Sequence, residues 1–365
     1  MSAPVLLGKL KSFVHRHLAT RLQPLDPDSL PLDFPDTLNI ETSYRCNLKC
    51  IMCPRHFDAD LQGMFPMDLF HQRVGPVLNR FKYIHLTGWG EPLMHKQFVE
   101  MLQACKDAGT WTCFTTNGLL LKEPLSRRIL ETGVDTINVS CDGSEPETYE
   151  AVRGKGTFEL LMERLAHMVA LREEMGAQTR IEWTMVLMKA NITELPKAVR
   201  MASEIGLDRF TAKHMETAIN REDLAGALWN TGIVADLTDE EEATYRKAVA
   251  DARQVAEETG MDLVVQPRRF LRDGECAVKP SQNIFIDYVG NVSSCCYLNK
   301  LDVMPYIAKE DRPQDDGVMG SLSLKDFVEI LDDPRFVEFR KTWRRGEVPE
   351  ACSACLQIPR MTTND

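Results

Sequence analysis

RCNLKCIMCPRH, residues 45–56, sets Cys46, Cys50 and Cys53 within eight residues. The stretch follows TLNIETSY (37–44), whose alternating apolar residues suit a strand. In a chain without a secretory signal, thiols so clustered read as metal ligands rather than disulfide partners. An iron–sulfur cubane takes one thiolate per iron, four in all, so a three-cysteine loop leaves one iron with an open position. That position suits a small molecule activated by an electron. Zinc would want a fourth protein ligand, for which His56 is nearby, but the spacing lacks the usual paired CxxC form.

Composition narrows the class. The chain has 365 residues, enough for one large or two moderate domains. Its net charge of −11 excludes a broad nucleic-acid surface. No apolar run reaches the roughly 18 residues of a membrane span. Basic residues interrupt the apolar N-terminus, so no signal peptide is expected and the protein is placed in the cytoplasm. Eleven cysteines form two groups, one near each end, with Cys105, Cys113 and Cys141 between them as small buried hydrophobes.

Residues 5–22, VLLGKLKSFVHRHLATRL, form a basic amphipathic pattern. It suits packing on the body; a second reading is peripheral membrane contact. Residues 1–36 are therefore an N-terminal helix and linker. From 37 to about 216, strand-like segments alternate with helical ones: TLNIETSY, KYIHLTGWG, TWTCFTTNG, DTINVSCDG, RIEWTMVLM and DRFTAKHME. Such alternation implies an α/β fold with parallel strands and right-handed crossovers. Six units suit a partial barrel or an open doubly wound sheet over 37–220. Ser144 with Glu147, Asn191 with Glu194, and Thr238 with Glu241 are helix-start pairs. Residues 221–237 are irregular and suit a lid within a connector over 221–270. NIFIDYVGNVSSCC reads as a hairpin turning near Gly290 and Asn291 in a C-terminal unit over 271–365.

Cys-x3-Cys-x2-Cys after a first strand resembles the signature of the radical S-adenosylmethionine (SAM) superfamily. Other strand ends extend the likeness. TGWGEP (87–92) resembles the family's Gly-Gly-Glu motif, with Gly88 and Gly90 allowing close backbone approach and Glu91 suited to the methionine ammonium. TTNG (115–118), with Thr116 and Asn117, is a frequent family feature. In VSCDG, Ser140 and Asp142 resemble a pair that binds the ribose hydroxyls, and Arg153 resembles an arginine that grips the SAM carboxylate. Met52 stands where the family usually has an aromatic residue near the adenine. The resemblance implies a partial (β/α)6 TIM-like barrel and a [4Fe-4S] cluster on Cys46, Cys50 and Cys53. The open iron chelates SAM, whose cleavage yields a 5′-deoxyadenosyl radical. An electron donor such as flavodoxin or ferredoxin is then needed.

Cys276, Cys295, Cys352 and Cys355 form the second group, with Cys296 as an extra. Gly290-x4-Cys295 and the terminal CxxC are similar to the SPASM/twitch extension of these enzymes. No further cysteine follows Cys355, which implies one auxiliary [4Fe-4S] cluster. The spacing resembles that of the butirosin-pathway aminocyclitol dehydrogenases; a structural zinc site is the alternative. The expected function is dehydrogenation of a hydroxylated small molecule such as a sugar or cyclitol. The alternatives are radical modification of a peptide, a redox-neutral epimerisation with Cys296 as hydrogen donor, and a non-catalytic metal scaffold.

Overall fold

Period-two alternation builds one face of each strand for a helical cover and the other for a polar interior. The computed structural model describes residues 31–53, 55, 62–214, 237–266, 271–272, 275–276, 278–300 and 317–353. The N-terminal helix expected at 5–22, the lid at 221–236, His56 and Cys355 lie outside these residues. The strands are β1 (Thr37–Ile40), β2 (Tyr83–Leu86), β3 (Trp111–Thr116), β4 (Thr136–Ser140), β5 (Arg180–Leu187), β6 (Arg209–His214), β7 (Leu263–Val265), β8 (Leu271–Arg272), β9 (Glu275–Cys276), β10 (Asn283–Ile286), β11 (Asn291–Ser293) and β12 (Gly320–Ser321). The main helices are α1 (Phe98–Asp107), α2 (Glu123–Glu131), α3 (Pro146–Arg153), α4 (Phe158–Met175), α5 (Leu195–Ile205), α6 (Asp239–Thr259), α7 (Phe327–Leu331) and α8 (Pro334–Arg344).

All six expected strands are present, each somewhat shorter than its sequence pattern. They run in order and in parallel, β1 to β6, with β7 parallel beyond β6. Leu38, Ile40, Ile84, Leu86, Phe114, Ile137, Val139, Ile181, Trp183 and Phe210 are fully buried on the helix-covered face. Helix α1 meets that face with Phe98, Met101, Leu102 and Cys105, the spacing of a helical stripe. Cys105, Cys113 and Cys141 are buried, as their isolation from the other cysteines implied.

The C-terminal region extends the same sheet. Strand β10 pairs in parallel with β1, Thr37 opposite Asn283 and Ile40 opposite Ile286. The antiparallel β10–β11 hairpin turns where expected, at Gly290 with φ +95°. Asp287 fixes that turn by accepting hydrogen bonds from the Val289 and Asn291 amides. The sheet thus has ten strands, ordered β12-β11-β10-β1-β2-β3-β4-β5-β6-β7. It is the expected partial barrel, prolonged at both edges.

Helix starts are partly rearranged. Thr238 and Glu241 form the capping box of α6. Ser144 and Glu147 do not cap α3; instead Glu194 accepts hydrogen bonds from the Ser144 and Glu145 amides at 2.6 and 3.2 Å. Asn191 spends its side chain on Met188, Asp142 and Val186, holding the ends of β4 and β5 together.

Candidate active site

The cysteine loop leaves β1 and is pinned on three sides. Arg55 donates to the carbonyls of Tyr44 and Leu48, at 3.4 and 3.1 Å, across the base of the loop. The Ile51 amide donates to the Val152 carbonyl at the end of α3. Asn117, at the end of β3, donates to Asn47 at 2.8 Å and to Cys46 Sγ at 3.8 Å. Glu41, wholly buried between β1 and the loop, was not singled out by sequence. Its carboxylate accepts from the Trp89 and Tyr288 amides, at 2.8 and 3.3 Å, joining β1, the TGWGEP loop and the C-terminal hairpin.

Cys46, Cys50 and Cys53 line one cavity of about 310 Å³. Among the described residues, no three His, Cys, Asp or Glu side chains converge as one metal ion would require. Three thiols bordering one cavity are the donor set a cubane takes, one thiolate to an iron. Burial raises all three thiols and pushes Cys50 up to about 12, with Arg153 opposing. The thiols are therefore protonated without metal, and cluster assembly must expel their protons.

The TGWGEP glycines serve close packing of protein on protein. A Cβ on Gly88 would fall 2.3 Å from the Glu41 side chain, and one on Gly90 would fall 2.2 Å from the Ser43 carbonyl oxygen. Both residues also border the cavity. The tight fit sets Glu91, whose amide donates to the Arg45 carbonyl at 2.7 Å. Its carboxylate accepts from Thr116 Oγ1 at 2.6 Å, the Asn117 amide at 2.7 Å and the Leu93 amide at 3.2 Å. Burial nevertheless pushes this carboxyl up to about 7.

Ser140 and Arg153 border the cavity, and so does Met52, which packs beside Val152, Val186 and Met188. Asp142 is placed differently from expectation. Strand β4 ends at Ser140, so the alternation of its faces does not extend to residue 142. The Asp142 carboxylate is wholly buried, receives Arg153 and accepts from the Val186 amide at 2.7 Å. It therefore holds Arg153 rather than facing a ribose. Burial opposes the charge of Arg153, but Asp142 and Cys50 outweigh it and raise the guanidinium further.

Cys276, Cys295 and Cys352 are each buried, Cys296 is half-buried, and the neighbouring Cys296 side chain together with burial raises the Cys295 thiol. Tyr297, directly after this pair, reaches the catalytic cavity and meets Trp89 with ring centroids 5.8 Å apart. The auxiliary cysteine loop thus supplies part of the cavity wall. Lys213 and His214, at the end of β6, also border it. Sequence inspection passed over Tyr297 and Lys213, although residues at the C-terminal ends of barrel strands are the usual site positions.

Comparison with known proteins agrees with this geometry. The family model described as the radical SAM superfamily matches residues 40–211, and that of an iron–sulfur cluster-binding domain, SPASM, matches residues 276–356. The tungsten-containing aldehyde ferredoxin oxidoreductase cofactor-modifying protein of Pyrococcus furiosus is 29% identical over 49% of this chain and 51% of its own length. Mycofactocin maturase MftC of Mycobacterium tuberculosis is 24% identical over 48% of this chain and 44% of its own. The chain thus spans about half the length of these curated relatives. Streptococcus suis SuiB bound to S-adenosylmethionine shares the fold with a TM-score of 0.63 at 16% identity, over 84% of this chain and 68% of SuiB. Native anSMEcpe with bound AdoMet does so at 0.58 and 17%, over 85% and 83%. With both domain models matched and the cysteine loop placed at the end of β1, this chain belongs to the radical SAM superfamily, in its SPASM/twitch subgroup, with SAM and [4Fe-4S] clusters as cofactors.

Proposed function

We propose that this radical SAM enzyme dehydrogenates a hydroxylated small molecule, taking a hydrogen atom from a carbon that bears a hydroxyl group. When bound, the cluster and SAM supply a 5′-deoxyadenosyl radical, formed with one electron from a donor such as flavodoxin or ferredoxin. The observation that carries the proposal is the shared cavity. The cysteine thiols, Glu91 and Arg153 border it, and Tyr297 from the auxiliary cysteine loop completes its wall. An auxiliary cluster on Cys276, Cys295, Cys352 and Cys355 would supply an acceptor for the second electron of a two-electron oxidation.

Each residue has a role in this scheme. Cys46, Cys50 and Cys53 hold the cluster through three irons. Glu91 receives the SAM ammonium and Arg153 the carboxylate, both fixed by buried hydrogen bonds. Ser140 offers a hydroxyl to the ribose, and Met52 and Val186 give the adenine an apolar wall. Gly88 and Gly90 keep the Glu91 loop tight against the cysteine loop. Cys276, Cys295, Cys352 and Cys355 hold the auxiliary cluster.

Peptide modification is the second reading, favoured by the likeness to a mycofactocin maturase and to SuiB, which has been solved bound to its precursor peptide SuiA. The class of substrate that is turned over separates the two. Anaerobically reconstituted enzyme with SAM, dithionite and a polyol panel should form 5′-deoxyadenosine and a product lighter by two hydrogens. Turnover of peptides alone would replace the dehydrogenase assignment, and no 5′-deoxyadenosine with any substrate would remove it.

A further inference from the structure

The cavity holds a cation for which the SAM contacts above have no use. Lys213 lies near the end of β6, in register with Val186 of β5, and borders the same cavity as the cysteine thiols. It makes no hydrogen bond or ion pair with any described residue. The nearby carboxylates are committed elsewhere. Glu182, toward the start of β5, takes Arg180 at 3.3 Å and Arg209 at 3.9 Å. Asp142 takes Arg153, and Glu91 accepts three hydrogen bonds of its own.

One layer deeper in the barrel, two residues before the cavity-lining Thr87, stands His85. Burial, and then the charge of Lys213, push its imidazole down to about 4, so it is neutral at ordinary pH. It too makes no hydrogen bond to a described residue. Lys213 is half-buried and has no ionic partner among the described residues, so an anionic group of a ligand in the cavity would give its ammonium one.

We propose that Lys213 seats an anionic oxygen group of the substrate, a carboxylate or a phosphate. This rests on the radical dehydrogenase reading and narrows it: the hydroxylated substrate is a sugar acid or a phosphate ester rather than a neutral polyol. Lys213 acts as a specificity-determining residue and takes no part in forming the radical.

The test uses reconstituted, SAM-loaded enzyme and three probes: glucose, gluconate and glucose 6-phosphate. Acylation of the Lys213 amine is followed by peptide mass spectrometry, and probe and SAM affinities by calorimetry. One or both anionic probes should protect Lys213 and bind about tenfold or more tightly than glucose. The advantage should vanish in Lys213→Met while SAM affinity holds, and the two anionic probes tell carboxylate from phosphate. Equal protection by glucose, or protection by none, overturns the proposal. So does a loss of SAM affinity in Lys213→Met, which would assign the lysine to the SAM carboxylate. Formation of 5′-deoxyadenosine by the wild-type enzyme, measured separately, reports on the radical reading itself.

Discussion

Arg153 grips Asp142 with Nε and Nη2 each 2.7 Å from the same carboxylate oxygen, and both side chains are buried. Neither group has water to fall back on, so each depends on the other for its charge. Removing Asp142 with Asp142→Ala should strand a guanidinium and cost about 3–5 kcal/mol. Thermal unfolding of the unloaded protein checks this. A cost under about 1 kcal/mol would mean that the pair behaves as an exposed one. Arg153→Ala should strand the Asp142 carboxylate at a comparable cost and should also weaken SAM binding, since it removes the charge that faces the cavity.

Glu91 gives the binding of SAM a pH signature. Burial holds its carboxyl at about 7, largely protonated just below neutrality. An ammonium placed beside it favours the ionised form, so binding should expel a proton there. Affinity should therefore strengthen as pH rises toward 7. Calorimetry in two buffers of unlike ionisation enthalpy counts the proton, and the release should vanish in Glu91→Gln. Proton uptake, or no change, would dissociate Glu91 from the ammonium.

Gly90→Ala is a small change with a large expected effect. The new methyl would fall 2.2 Å from the Ser43 carbonyl oxygen, a backbone atom of the cysteine-loop entry. Gly90 does not adopt a positive φ, so the penalty is a clash rather than backbone strain. The loop must shift, and iron loading at Cys46, Cys50 and Cys53 should fall sharply while the auxiliary iron is retained. Iron analysis and cluster absorbance read this out. Gly109→Ala tests a different cost, because its φ is +76° and nothing crowds its Cβ.

Two cubanes mean about eight irons per chain after anaerobic reconstitution. Cys50→Ala and Cys295→Ala should each remove about half, from different sites. Four irons with one zinc would show that the C-terminal cysteines hold zinc instead. Chelating the auxiliary metal should destabilise the C-terminal region, because structural metal binding contributes directly to folding.

The six barrel strands were legible because each carries its own alternation, and the cysteine loop because its spacing is local. Pairing of β10 with β1 was not, because no local pattern announces a partner 246 residues away (Thr37 with Asn283). Where Asp142 points was not legible, because it lies two residues past the end of β4, where strand alternation no longer fixes a face. Glu194 was assigned to its own helix, yet it caps α3 across a tertiary contact. Lys213 and Tyr297 went unnoticed because lysine and tyrosine are common, and only their shared cavity sets them apart.

The parallel seam between β1 and β10 has a mechanical consequence. Cys46 follows β1 by six residues and Cys295 follows β11 by two, so the two cysteine loops leave strands of one sheet that are separated by β10 alone. Cutting the chain after β7 would expose β1 as a raw edge, its amides and carbonyls open to pairing with other chains. The excised barrel should therefore aggregate rather than survive as a minimal enzyme.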